Sequence, residues 1–438
     1  MLGNPTVRVT GAENVRQILQ GEHVNVISVW PYTFRTILGG KSISNMSGNE
    51  HAYFRKMVMK GFTHAALNSY ISYTKKIINI KVGLWNNLDE PVDIHNNILE
   101  MTFEVSVKVM TGLQWKNQEE MQKTCHIFQE MIRNIFCFPY NLPFSGFRKA
   151  QNSRNYIHAI LDHHLRKKVE RINANGNEES IEETPAENDV IQRILEADMM
   201  EKIKSNGSEE ESENGYKRHK KCGFSIDELK QNAVELMFAG FKTTASGISS
   251  LIIQLTKYPD VRKRIEGELK ENGLLAEGSV VTSLEQIQKL TYLEQVVKET
   301  LRIMPPITGG FRKARKTFRI GNYRIPKAWT VIYDIRGTHK NEFENSDVFD
   351  PDRFSRENWT KNKDNRFRWI PFGGGPRICP GNHFAKLVIK LTVIEMIAHF
   401  KDWKFSGDEE PSMSAIPILQ PRNGLCMRLK SRRAHNHG

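Results

Sequence analysis

The chain has 438 residues, 39% hydrophobic and 26% charged, with a formal net charge of +13. This balance fits a folded body of one large or two smaller domains and excludes a low-complexity chain, while the basic excess favours acidic partners (nucleic acid, anionic lipid or an acidic protein) without choosing among them. Cys125, Cys137, Cys222, Cys379 and Cys426 show no CxxC pair or zinc-like spacing, which points to reduced thiols facing a cytosol and against a disulfide framework.

The start, "MLGNPTVRVTGAENV", has neither the basic region nor the apolar core of a signal peptide, and no eighteen-residue run looks apolar enough for a membrane span. "TVRVTG" reads as a strand closed by a glycine turn, and "AENVRQILQGE" as a short helix. Helical patterns dominate from about His51 to Lys168. Residues 171–221 change character: "NANGNEESIEETPAEN" and "KSNGSEEESENGYKRHKK" are polar and charge-blocked, and read as exposed loop insertions around one helix, "DVIQRILEADMMEKIK".

Ser225 and Glu228 stand at capping-box spacing before a long helix from about Ile226 to Lys257. Its middle carries Ala239, Gly240, Thr243 and Thr244. Glycine inside a helix costs about 1 kcal/mol against alanine, so close approach is expected there, either of another helix or of a ligand. "SLEQIQKLTYLEQVVKETLRIMPP" reads as one helix stopped by Pro305 and Pro306. A hairpin turning at Gly321 and Asn322 follows, and "TVIYDIRGTH" reads as a further strand. The expected fold is mainly α with a small β-sheet region, a single domain over 1–438, without internal repeats.

The chemistry concentrates in "PFGGGPRICPGN", Pro371 to Asn382, just before a helix-like run. A thiolate at Cys379 can be stabilised by that helix start, with Pro380 suited to its first turn, and by backbone N–H groups that the glycines leave accessible. Arg377 suits a ligand carboxylate, and Phe372 an apolar ring. A buried structural cysteine beside a glycine turn is the other reading of the loop alone.

Phe372, Gly375, Arg377, Cys379 and Gly381 stand in the pattern FxxGxRxCxG, which resembles the cytochrome P-450 superfamily of haem-thiolate monooxygenases. The resemblance implies haem b (iron protoporphyrin IX) between the long central helix and the helix after the cysteine loop, with Cys379 as the axial iron ligand. It implies that Glu299 and Arg302 of "KETLR", with Arg353 of "FDPDRF", form a buried structural cluster. "AGFKTT" falls on the family's oxygen-activation segment: Ala239 and Gly240 leave room for O2 and substrate, and Thr243 supplies the proton-relay hydroxyl. Lys242 departs from the acid usual there, and a lysine is no carboxylate relay. Arg55 in "HAYFRK", with His51 where the family has tryptophan, Arg312 and Arg377 are the implied partners of the haem carboxylates. Lys56, Lys60, Lys386 and "KNKDNRFR" would form a basic ring for an acidic NADPH-dependent flavin reductase, which accounts for the net charge without nucleic acid.

"NPTVRVTGAENVRQILQGEH", "WPYTFRTILGGKSISN", "PFSGFRKA" and "PPITGGFRKARKTFRIGNYRIPKAW" narrow the resemblance to the retinoic acid hydroxylase family, family 26. That implies oxidation of all-trans-retinoic acid or a related retinoid, with Trp30, Phe136 and Phe238 lining the pocket and Arg8 meeting the substrate carboxylate. Asn4 and Lys242 depart from that family. The resemblance also leads one to expect an anchor helix and first elements ahead of this start, and endoplasmic reticulum membrane association of such a longer form. A haem-thiolate isomerase or peroxide-using enzyme, a sterol or fatty acid monooxygenase, and a non-catalytic haem-bound lipid sink are the alternatives.

Overall fold

The computed structural model describes residues 5–85, 90–175, 188–206, 223–276, 280–360, 366–407 and 409–432. They fall into two compact units, the first made of Met1–Val29, Tyr70–Thr102 and Gly240–Gly438, the second of Trp30–Ser69 and Phe103–Ala239.

The first unit is organised by a four-stranded sheet in the order Thr6–Val9, Thr330–Asp334, Gly309–Ala314, Val26–Ser28. Thr6–Val9 pairs in parallel with Thr330–Asp334, Thr6 against Thr330 and Val9 against Tyr333, whereas the other pairings are antiparallel. Helix Ala12–Gln20 buries Ala12, Val15, Ile18 and Leu19, spaced three and four apart, in one cluster with Val331 and Phe367. Each fully buried aliphatic of this kind contributes about 1.5–3 kcal/mol. Helix Asn382–His399 is apolar nearly all round and buries most of its length, as a core helix must. It packs on Thr291–Ile303, which also meets the 3-10 turn Pro351–Phe354.

The second unit is helical. Gln118–Arg133, N-capped by Asn117 through the Glu120 N–H at 2.9 Å, packs against Gly146–Asn175. Gly48–Lys60 packs against Val190–Asn206, joined by a Tyr53 hydroxyl donating to Asp198 at 2.7 Å and by Lys56 paired with Glu201 at 2.9 Å. Helix Ile226–Lys257 begins in this unit and ends in the first. Its capping box forms as expected, with Glu228 N–H donating to the Ser225 hydroxyl and Ser225 N–H donating to the Glu228 carboxylate.

Three expectations need correction. The segment before Pro305 is two helices, Leu284–Gln288 and Thr291–Ile303, because Glu268 accepts the Tyr292 and Leu293 N–H groups at 2.7 and 2.9 Å and starts the second helix afresh. "TVIYDIRGTH" is strand only to Asp334, whose carboxylate accepts the Gly337 N–H and caps helix Ile335–Glu342. Helix Ile226–Lys257 does contain an eighteen-residue window of membrane-like hydropathy, 1.3, but 72% of that window is buried in protein. Much of the charged 171–221 insertion lies outside the described residues.

Candidate active site

The cysteine loop is fixed by its own backbone. Cys379 N–H donates to the Phe372 carbonyl at 3.0 Å, Ile378 N–H to Gly375 at 3.1 Å and Gly373 N–H to Ile370 at 2.9 Å, around a 3-10 turn at Gly375–Arg377. Gly375 is required twice over: its φ is +65°, and a Cβ there would meet the Leu19 carbonyl oxygen at 2.1 Å. Helix Asn382–His399 opens immediately afterwards with Gly381 as its N-cap, so Pro380 precedes the helix and does not occupy its first turn. Cys379 is half-buried, and the Phe372 ring lies edge-on to Trp369 at 6.2 Å.

Arg377 and Arg312 are brought together by a residue without any motif. Glu22, with a fully buried carboxylate, holds Arg377 Nε at 2.8 Å through Oε1 and Arg312 Nε at 2.7 Å through Oε2. Oε1 also accepts the Ser28 N–H at 3.0 Å. Arg312 is itself buried on strand Gly309–Ala314, with its guanidinium 5.2 Å from the Tyr333 ring centre. Its Nε stays outside hydrogen-bonding line with Oε2 despite that short separation.

Behind the loop, Glu299 takes both Arg302 Nε at 2.6 Å and Nη2 at 2.8 Å, and Arg353 Nε lies 3.4 Å from the same carboxylate. Arg302 further donates to the Ser346 and Val348 carbonyls. His339, unnoticed in the sequence, ties this cluster to the cysteine loop: Nδ1 lies 3.0 Å from the Arg302 carbonyl and Nε2 accepts the Ile370 N–H at 2.9 Å. The two contacts require the neutral ring with hydrogen on Nδ1. Burial lowers its pKa to about 4.

On the central helix Ala239 is exposed, Gly240, Lys242 and Thr243 are half-buried, and Thr244 is buried. Two turns further along the same helix, a Cβ on Gly247 would meet the Ile389 side chain at 2.8 Å, so the backbone is approached closely there. His95 bonds Ser249 at 2.9 Å, and its pKa falls to about 4 through burial, with the Lys242 charge acting in the same direction.

Within the second unit, Trp30, Phe136 and Phe238 all meet one ring that sequence reading overlooked, Phe34. Trp30 stacks on it at 4.2 Å, Phe136 at 5.7 Å, and Phe238 meets it edge-on at 6.2 Å. Arg55 lies half-buried on helix Gly48–Lys60 of the same unit. Arg8, the candidate for a substrate carboxylate, bonds Asp334 through its Nε at 2.6 Å. Of the expected basic ring, Lys56 is paired with Glu201, and Lys386 with Glu294 at 2.8 Å. Lys390, itself buried, completes the second pair. Burial raises the Glu294 pKa but Lys390 and Lys386 prevail, leaving it at about 2.

This donor set fits one kind of group. Among the described residues no cluster of three or more His, Cys, Asp or Glu forms, so a metal held by side chains alone has no cage. One half-buried thiol beside a glycine cradle, with two arginines on the same unit, suits iron that arrives in its own macrocycle bearing carboxylates.

The comparisons agree with that chemistry. The cytochrome P450 family matches residues 1–427. Cytochrome P450 26B1 of Xenopus tropicalis is 35% identical over 433 residues, covering 98% of this chain and 78% of that protein, and cytochrome P450 26A1 of Xenopus laevis is 36% identical over 439 residues, covering 98% and 82%. Among solved structures, retinoic acid bound cyanobacterial CYP120A1 superposes with a TM-score of 0.82 at 26% identity, covering 98% of this chain and 90% of that one. CYP102L1, at 19% identity and TM-score 0.75, covers 98% and 89% and shows the same fold. A family match over residues 1–427, with relatives about 35% identical across 98% of the chain, makes it a member of the cytochrome P450 family, the haem-thiolate monooxygenases.

Proposed function

We propose that this protein hydroxylates a retinoid carboxylic acid of the all-trans-retinoic acid type, using O2 and electrons from an NADPH-dependent flavin reductase, with haem b held by Cys379. The observation that carries the substrate class is the 0.82 TM-score to a structure solved with retinoic acid bound, beside about 35% identity to cytochromes P450 26A1 and 26B1. Haem b would lie against Phe372, Gly375 and Gly381, its carboxylates met by Arg312 and Arg377, and would supply oxygen activation. The chain supplies binding and proton control. Trp30, Phe34, Phe136 and Phe238 offer flat apolar faces to a polyene. The half-buried Thr243 hydroxyl carries a proton on the helical turn Ala239–Thr243, where Lys242, as an ammonium, has no lone pair with which to relay one.

Apolar exposure in the second unit supports membrane contact at the endoplasmic reticulum. Phe138, Tyr140, Leu142 and Phe144 are each more than 60% exposed within seven residues of chain. Such a patch on a soluble surface marks an apolar partner.

The purified chain tests the reading in two steps. Ferrous protein under carbon monoxide should give a thiolate-type spectrum that Cys379→Ser abolishes; a spectrum surviving that change ends the haem-thiolate assignment. Retinoids, fatty acids and sterols are then titrated for a substrate-induced spectral shift. A shift with sterols or fatty acids and none with retinoids transfers the proposal to those substrates, and product formed without reductant and O2 replaces monooxygenation by isomerase or peroxide chemistry.

A further inference from the structure

We propose that Ser246 and Ser250, on the central helix Ile226–Lys257, hold buried water that returns protons to the Thr243 hydroxyl. The inference rests on the reading above that Thr243 carries a proton beside a lysine that relays none. Ser246 and Ser250 are 1% and 0% exposed, and neither hydroxyl has a hydrogen-bond partner among the described residues. A buried hydroxyl on a helix commonly donates to the carbonyl four residues back, as Thr102 does to Ile98 at 2.7 Å, Thr300 to Val296 at 2.9 Å and Thr392 to Val388 at 2.9 Å. The two serines do not, so both hydroxyls carry an unmet donor and unmet lone pairs into the interior. Such a group is costly to bury dry, and ordered water is what usually satisfies it.

Their placement gives that water a use. Thr243, Ser246 and Ser250 follow one another at spacings of three and four, one line along a single face of the helix. The rise between them is about 4.5 and about 6 Å, spans that one bridging water closes with two hydrogen bonds. Ser249, seven residues past Lys242, lies beside this line and is already engaged, its hydroxyl 2.9 Å from His95 Nδ1. A hydroxyl and a water each hold both a lone pair and a proton, so each takes a proton on one side while giving its own on the other. No group along the line changes charge: Thr243 gives one proton and regains one, and bulk water is the source. That is the relay which an ammonium at position 242 does not provide.

Wild-type holoprotein tests the water directly. A high-resolution crystal structure should place an ordered water within hydrogen-bonding distance of each serine hydroxyl; hydroxyls found dry, or bonded back to their own helix, overturn the proposal. Full-chain holoprotein carrying Ser246→Ala or Ser250→Ala then tests the use of that water. With substrate bound, each variant should form several-fold less product per reductant consumed, and the solvent deuterium isotope effect on that ratio should grow, which a serine that merely fills space would leave at its wild-type value. Wild-type coupling with a wild-type isotope effect in either variant overturns the proposal. Thr243→Ala examines the underlying reading separately: coupling unmoved there removes Thr243 itself from proton delivery, whereas coupling lost there and kept in the serine variants sinks only the role of the serines.

Discussion

His339 is pinned between the Arg302 carbonyl and the Ile370 N–H, so one imidazole links the Glu299 cluster to the strand of chain that turns into the cysteine loop. The ring is usable in this way only when neutral. With its pKa at about 4 when folded and near 6.5 when unfolded, the unfolded chain binds the proton first as pH falls. Stability should therefore be complete above pH 6.5 and decline between pH 6.5 and 4, by about 3 kcal/mol for this group. Urea midpoints from pH 7.5 to 4.5 measure it, and His339→Gln should flatten the slope.

Glu299→Gln leaves the buried Arg302 and the half-buried Arg353 beside an amide. Breaking such a pair costs about 3–5 kcal/mol, so the variant should accumulate little haem-bound protein. The ratio of Soret absorbance to total protein in purified material reports it.

Gly375→Ala should destabilise by about 1–3 kcal/mol from its left-handed backbone alone, before the clash with Leu19 is counted. Thermal melts of the holoprotein, with the carbon monoxide spectrum as a check on the loop, give the outcome.

Phe34→Leu keeps an apolar side chain but removes the ring that Trp30, Phe136 and Phe238 share. Each aromatic pair lost is worth about 0.5–1.5 kcal/mol, so the retinoid concentration for half-maximal spectral shift should rise several-fold, while fold stability changes less than for Phe34→Ala.

Lys242→Glu restores a carboxylate next to Thr243. Product formed per reductant consumed should increase; unchanged coupling would remove position 242 from proton delivery.

Local signals in the sequence reached as far as local physics does. The Ser225–Glu228 box, the Gly321–Asn322 hairpin and the Glu299–Arg302 pair are each written within four consecutive residues, and each stands in the structure. The break before Thr291 was illegible because its cap is Glu268, more than twenty residues upstream on another helix. Asp334 did carry a readable N-cap signal ahead of Ile335, masked by the β-branched run before it. Glu22 sits in "LQGEH" without any motif, and only the fold gives it two arginines. Phe34 stands in "WPYTFRTIL" without a signal of its own, and only the fold sets three other rings on it.

The sheet that carries Arg312 has a kinetic side. Among the described residues Thr6–Val9 pairs with one strand, the parallel Thr330–Asp334. Thr6–Val9 must therefore wait, unpaired and β-prone, until residues more than three hundred positions further along have left the ribosome. Its closure is among the longest loops the polypeptide has to tie, and long-range parallel pairing is intrinsically slow. Low growth temperature and chaperone supply during expression act on that interval, and a chain released before residue 330 carries an open sheet edge into the cell.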